Sequence, residues 1–337
     1  MESRSDFSLK ALNTFNVEAV ARRYVRFDEE KEIFEFLGRQ SLEEERLLVL
    51  GGGSNLLFVD DFDGTVLHPV LKGIDVLDAD KRHIRVRVMA GENWDELAAR
   101  AVASGWGGIE NLSLIPGSVG ASAVQNIGAY GVEAKDVIDS VEAIDIHSRE
   151  KIVLPAEACG FGYRNSLFKG RWAGRHIITA VVFKLCRQPR FVLDYPGVRE
   201  QVDALGTVTL DTLRQAIIAI RQAKLPDPAD LGNAGSFFKN PVVELEPMHR
   251  LQARFADMPH YPQPDGRFKL SAGWMIDRCG WKGRRIGRAG VHDRQALVLV
   301  NRGGATGREI LELSERVRRS VRETFGVNLE REVKVVP

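Results

Sequence analysis

Apolar residues recur every three or four positions over three stretches of the chain. The first, 93–104, opens on an Asn-x-x-Glu pair, Asn93 and Glu96, and stops at Gly105. Such an asparagine takes up a free N–H of the first turn, and a glycine ends the last one. Residues 210–223 carry Leu213, Ala216, Ile217 and Ile220 on one face, and 306–325 repeat Ile310, Leu313, Val317, Val321 and Phe325 before Gly326. These spacings predict three amphipathic helices. Short apolar or alternating runs predict strands at 47–50, 84–89, 177–185, 296–300 and 327–336. In the last of these, Val327, Leu329, Val333 and Val335 mark one face and Glu330, Glu332 and Lys334 the other. Strands bunch rather than strictly alternate with helices, so the mixture is α+β or α/β. A boundary falls at Lys224-Leu225-Pro226-Asp227-Pro228, where two prolines end a helix.

Composition narrows the function. The 337 residues leave room for two or three domains. Forty-seven basic against forty-six acidic residues, with 44% hydrophobic, argue against disorder and against a nucleic-acid footprint. A small molecule is the expected partner, with no nucleic acid and no membrane. Cys159, Cys186 and Cys279 are too few and too scattered for a disulfide framework or a zinc cluster, and no pair of histidines has metal-ligand spacing. The N-terminus lacks the apolar stretch of a signal peptide, and runs such as 216–220 are too short to cross a bilayer. A reducing, cytoplasmic location is expected.

Two glycine-rich segments carry the chemistry. In LLVLGGGSNLLF, residues 47–58, three glycines sit between strand-like runs. A P-loop is excluded, because Ser54 and Asn55 stand where its lysine belongs, and a Rossmann fingerprint is excluded, because Leu56 replaces the third glycine and no helix follows. The run is either a tight turn or an array of N–H groups for a phosphate in a strand-loop-strand setting. Residues 114–131, LIPGSVGASAVQNIGAYG, hold glycines at 117, 120, 128 and 131 among small, uncharged neighbours. Alone, this second segment reads as a packed loop; with the first, it suits a dinucleotide held along its length.

Seven segments in order, LGGGSNLL, AGENW, LIPGSVGASAVQNIGAYGVE, FGYRNSLFK, KLPDP, GNAGSFFKNP and LEREV, span nearly the whole chain. Together they resemble the UDP-N-acetylenolpyruvoylglucosamine reductase family, in its form with an inserted tyrosine loop, here FVLDYPGV with Tyr195. The resemblance implies an FAD-binding domain of the vanillyl-alcohol oxidase type, made of two α+β subdomains (1–72 and 73–224). A C-terminal α+β substrate domain (225–326) and a terminal strand (327–337) bearing Glu332 follow. It also implies non-covalent FAD, NADPH as co-substrate and a UDP-sugar substrate whose enolpyruvyl group is reduced for peptidoglycan synthesis.

The same resemblance assigns residues. Gly51, Gly52, Gly53, Ser54, Asn55, Gly117, Ser118, Gly120, Ala121, Asn126 and Gly128 would hold FAD. Ser236 would give the proton, Arg164 would take the substrate carboxylate, and Glu332 would act beside Arg164. Tyr195, Lys224, Asn240, Gln295 and Tyr130 would bind substrate, with Lys239 a weaker candidate near it. The residue types suit these roles, since a guanidinium fork matches a carboxylate and a lysine serves a diphosphate as a point charge. Read without the family, Ser236 is a turn residue, Arg164 a surface ion-pair partner and Glu332 a solvated side chain. Two rival functions remain at this point: a flavin oxidase on the same fold, and a non-catalytic nucleotide-binding module.

Overall fold

The computed structural model describes residues 1–39 and 45–337. The chain divides into two compact units. One comprises Met1–Phe7, Ala21–Gly53 and Asp63–Ala223; the other comprises Ser8–Val20, Ser54–Phe62 and Lys224–Pro337.

The first unit holds two sheets. One has the order Glu2–Ser8, Val20–Phe27, Phe62–Pro69, Leu47–Val49, its last two strands parallel. The helix Glu30–Arg39 lays Ile33, Phe36 and Leu37 into a core shared with Val25, Phe27 and Leu67. The other sheet is antiparallel, in the order Lys151–Pro155, Ile138–Asp145, His176–Cys186, His83–Met89, Ile74–Ala79. Neighbouring side chains of a strand point to opposite faces. Ile177 and Ile144 therefore join the first core, while Ile178 and Ala143 join a second, with Trp94, Leu97, Ala98, Val119 and Ala123. With both faces covered, the central strand shows no polar alternation, which is why 177–185 reads as one apolar run. A third cluster joins helices Val198–Leu205 and Leu210–Lys224 through Val198, Val202, Leu213 and Ile217.

In the second unit an antiparallel sheet runs Gly232–Ser236, Val298–Asn301, Ala289–Val291, Arg285–Ile286. The helix Gly307–Phe325 packs on its two middle strands and on the helix Ala272–Arg278, burying Ile310, Leu313, Val317, Val321 and Phe325. Strands Leu56–Phe58 and Lys334–Val336 pair in parallel.

The three expected helices form as Trp94–Ala103, Leu210–Lys224 and Gly307–Phe325; Asn93 Oδ1 accepts the Glu96 N–H at 3.1 Å. The expected strand 327–336 is corrected. Only Lys334–Val336 is a strand, and upstream a single bridge joins Arg331 to Phe238. Val327, Leu329 and Val333 are buried, so the alternation records packing of an extended segment that has no continuous neighbour to pair with.

Candidate active site

In the first unit the glycine run meets the second glycine segment at backbone contact. A Cβ on Gly52 would lie 2.7 Å from Gly117 Cα and 3.2 Å from Ser118 N, and one on Gly51 would lie 2.8 Å from Ser118 Oγ and 3.1 Å from Ala121 Cβ. No side chain fits there, which supplies the reason for consecutive glycines. The N–H groups of Gly51, Gly52 and Gly53 donate to no acceptor among the described residues. Three such donors on a loop of this shape fit the diphosphate of an extended dinucleotide. Ser118 caps the helix Val119–Gln125, its Oγ accepting from Ala121 N. Gly120 is buried and serves close packing, because its N–H bonds Ala90 O at 2.9 Å and a Cβ would meet Ala90 Cβ at 2.7 Å.

Arg164 stands third in the turn 162–165, closed by Gly162 N to Asn165 O at 3.0 Å and Asn165 N to Gly162 O at 3.1 Å. Its φ is 54°, a conformation that arginine rarely adopts. Its Nη2 donates to Gly128 O, and the guanidinium carbon lies 5.3 Å from the Tyr163 ring centroid. Gly128 belongs to a short hairpin with Glu133 opposite it. The Asn126 side chain is fully enclosed and bonded within the protein: Nδ2 donates to Gly162 O at 3.0 Å and to Glu133 Oε2 at 2.9 Å, and Oδ1 accepts from Lys135 N at 2.9 Å.

Tyr130 and Tyr195 meet edge to face at 5.1 Å. Tyr195 opens a turn closed by Val198 N to Tyr195 O at 3.0 Å. Pro196 and Gly197, the latter at φ 87°, are the central pair of a type II turn. The proline and glycine after Tyr195 thus hold an exposed ring at the turn's first position. The sequence reading missed Arg221. Burial lowers its pKa, opposed by the Tyr130 hydroxyl, to which it is hydrogen-bonded, and by Asp95, while its Nε has no partner among the described residues. Burial in turn raises Tyr130. The only sequence signal was a cation flanking the apolar stripe of 210–223.

The second unit gathers a separate group. Glu332 N donates to Phe237 O at 2.8 Å and Lys239 N to Glu330 O at 2.9 Å, so the segment after Ser236 lies beside the one bearing Glu332. Asn55 Nδ2 donates to Glu332 O at 3.2 Å, and Lys334 N to Asn55 O at 3.0 Å. Ser54 precedes Asn55 directly and is half-buried. Ser236 ends a strand kinked by a register shift after Asn233, whose Oδ1 accepts from Gly235 N at 2.9 Å. The Ser236 hydroxyl is half-buried and bonds nothing among the described residues. Lys239 pairs with Glu330. Asn240 Oδ1 accepts from Ala272 N at 3.0 Å, and Gln295 Oε1 accepts from Leu297 N at 3.3 Å. Lys224, exposed, ends the helix Leu210–Lys224.

Comparison with known proteins adds three findings. Residues 21–150 match the family model of an FAD binding domain, and residues 227–336 match that of the UDP-N-acetylenolpyruvoylglucosamine reductase C-terminal domain. The chain is 47% identical over 330 residues to the UDP-N-acetylenolpyruvoylglucosamine reductase of Bacteroides fragilis, covering 98% of this chain and 99% of that one. It is 48% identical over 336 residues to that of Chromobacterium violaceum, covering 98% of each. Among solved structures, the UDP-N-acetylenolpyruvylglucosamine reductase of Thermus caldophilus superposes with a TM-score of 0.68 at 26% identity, covering 100% of this chain and 98% of that one.

Proposed function

The chain belongs to the UDP-N-acetylenolpyruvoylglucosamine reductase family, FAD-dependent oxidoreductases of peptidoglycan synthesis, and from this premise we propose that Ser236, Arg164 and Glu332 carry its reaction. The chemistry supplied by bound FAD, recharged by NADPH, is delivery of a hydride to the terminal enolpyruvyl carbon. Everything else falls to the protein.

Once that carbon is reduced, negative charge spreads from the inner carbon into the substrate carboxylate. Arg164 faces this charge with a fixed guanidinium fork, so the enolate is stabilised more than the starting material. Ser236 donates its hydroxyl proton to the inner carbon, completing reduction of the double bond. Glu332 orients the reacting group. Lys224, Asn240, Gln295 and Tyr195 hold the UDP end, with Tyr130 beside Tyr195. A location in the cytoplasm accords with three free cysteines, and no helix among the described residues is long and apolar enough to cross a membrane.

The observation that carries this reading is the half-buried Ser236 hydroxyl, unbonded among the described residues, on a segment tied to Glu332 through Phe237 O. Half-reactions followed by flavin absorbance test it. In Ser236→Ala, bleaching by NADPH should proceed at the wild-type rate, while reoxidation by the enolpyruvyl substrate slows by about 10²–10⁴-fold. Ser236→Cys should retain part of the activity. Wild-type reoxidation in the alanine variant would return Ser236 to the status of a turn residue.

A further inference from the structure

The turn bearing Arg164 and Ser166 just after it are fastened at three points to the end of the helix Val119–Gln125 and the segment that follows it. Asn126 Nδ2 donates to Gly162 O at 3.0 Å, Ser166 Oγ donates to Val124 O, and Arg164 Nη2 donates to Gly128 O. Of these, the Asn126 bond alone reaches the turn's first residue. The same amide group donates to Glu133 Oε2 at 2.9 Å, and Oδ1 accepts the Lys135 N–H at 2.9 Å. One amide therefore joins the helix end, the hairpin that carries Gly128 and the turn that carries Arg164. Asn126 is itself left-handed, at φ 49°, and completely buried. Asparagine is among the few residues that adopt this conformation at low cost, and its amide offers two donors and an acceptor.

We propose that Asn126 is a positioning residue for Arg164, fixing the turn so that the guanidinium is held ready for the substrate carboxylate. This deepens the functional reading above and rests on it. With both amide hydrogens and the amide oxygen of Asn126 bonded inside the protein and the side chain fully buried, its contribution passes through the turn. Displacement of a catalytic group by about 1 Å can cost as much as 10²-fold in rate. A loosened turn should act on the substrate half-reaction and leave the flavin as it was.

Asn126→Gly is the informative variant, because glycine keeps the left-handed backbone while removing all three bonds. Reoxidation of reduced flavin by the enolpyruvyl substrate should slow about 10–100-fold, with FAD content and bleaching by NADPH unchanged. In Asn126→Gly/Arg164→Ala, reoxidation should be no slower than in Arg164→Ala alone, since coupled residues are non-additive. Asn126→Asp keeps the shape but sets a second carboxylate against Glu133, and adding Glu133→Gln should restore part of the lost rate. If Arg164→Ala leaves reoxidation at the wild-type rate, the reading of Arg164 fails. If that variant is slow but Asn126→Gly is not, the positioning role fails while the reading of Arg164 stands. Loss of FAD, or equal slowing of both half-reactions in Asn126→Gly, would likewise overturn the role, assigning the residue to the cofactor or to general stability.

Discussion

Seven residues other than glycine hold a positive φ among those described; Leu114, Asn126 and Tyr130 fall within 114–131, and Arg164 within the turn 162–165. For leucine, tyrosine and arginine this conformation costs of order 1–3 kcal/mol, and it persists where neighbours over-determine it. At Leu114 the constraint is visible: its N–H donates to Asp95 Oδ1, and both Asp95 oxygens accept from Arg214, at 2.7 and 3.0 Å. Burial pushes the Asp95 carboxyl up, but the Arg214 fork and the Leu114 N–H outweigh it and bring the pKa below its ordinary value. A carboxyl depressed in the folded state stabilises above its unfolded pKa of about 3.9, and the gain disappears as pH falls through the folded value. Asp95→Asn should therefore lower stability in urea at pH 7 by about 1.5–3 kcal/mol, with the deficit shrinking as pH drops below about 4. A deficit of the same size at every pH would show that the charge of Asp95 is not what holds Leu114.

At the scale of elements, the glycine run is where spacing and structure meet. Gly52 faces backbone, and backbone has no rotamer with which to yield: a Cβ would sit 2.7 Å from Gly117 Cα and 3.1 Å from Gly117 C. Gly52→Ala should force the two loops apart and weaken FAD binding at least tenfold by flavin fluorescence titration. Gly38→Ala is the control, since a Cβ there meets nothing within 4 Å in the helix Glu30–Arg39; it should leave FAD binding unaltered and add about 0.5–1 kcal/mol of stability. Equal effects of the two would mean that added bulk, not the close approach, matters. Helices were legible because one face is apolar and the other wet, as at Ile310, Leu313, Val317 and Val321. The run of three glycines was legible as an anomaly, though not as turn or cradle until Gly117 stood beside it. The end of the chain misled, because burial of Val327, Leu329 and Val333 produces a strand's alternation without its ladder. The contacts of Asn126 and Arg221 were unreadable: each depends on partners distant in sequence, Gly162 for one and Tyr130 for the other.

At the scale of the whole molecule, the remaining rival is a relative that tethers its flavin and passes electrons to oxygen. Such relatives often tether it to a nucleophilic histidine or cysteine, and neither residue type occurs in 47–58 or 114–131. Cys159 is buried, and burial pushes its thiol up to about 11, leaving almost no thiolate at neutral pH. Flavin held only by backbone donors and packing must come away when the chain unfolds. Acid precipitation should thus release all yellow colour into the supernatant, and colour kept in the pellet would establish a covalent link. Because the folded chain alone offers the cradle, FAD also stabilises by mass action, by about 2.7 kcal/mol when free FAD is 100 times its Kd. Protein stripped of flavin should melt at a lower temperature than the yellow form, and FAD should restore the melting temperature in a concentration-dependent way. A melting temperature indifferent to FAD would mean that the folded chain does not bind FAD in preference to the unfolded one, and the reading of Gly51, Gly52 and Gly53 as its cradle would fail.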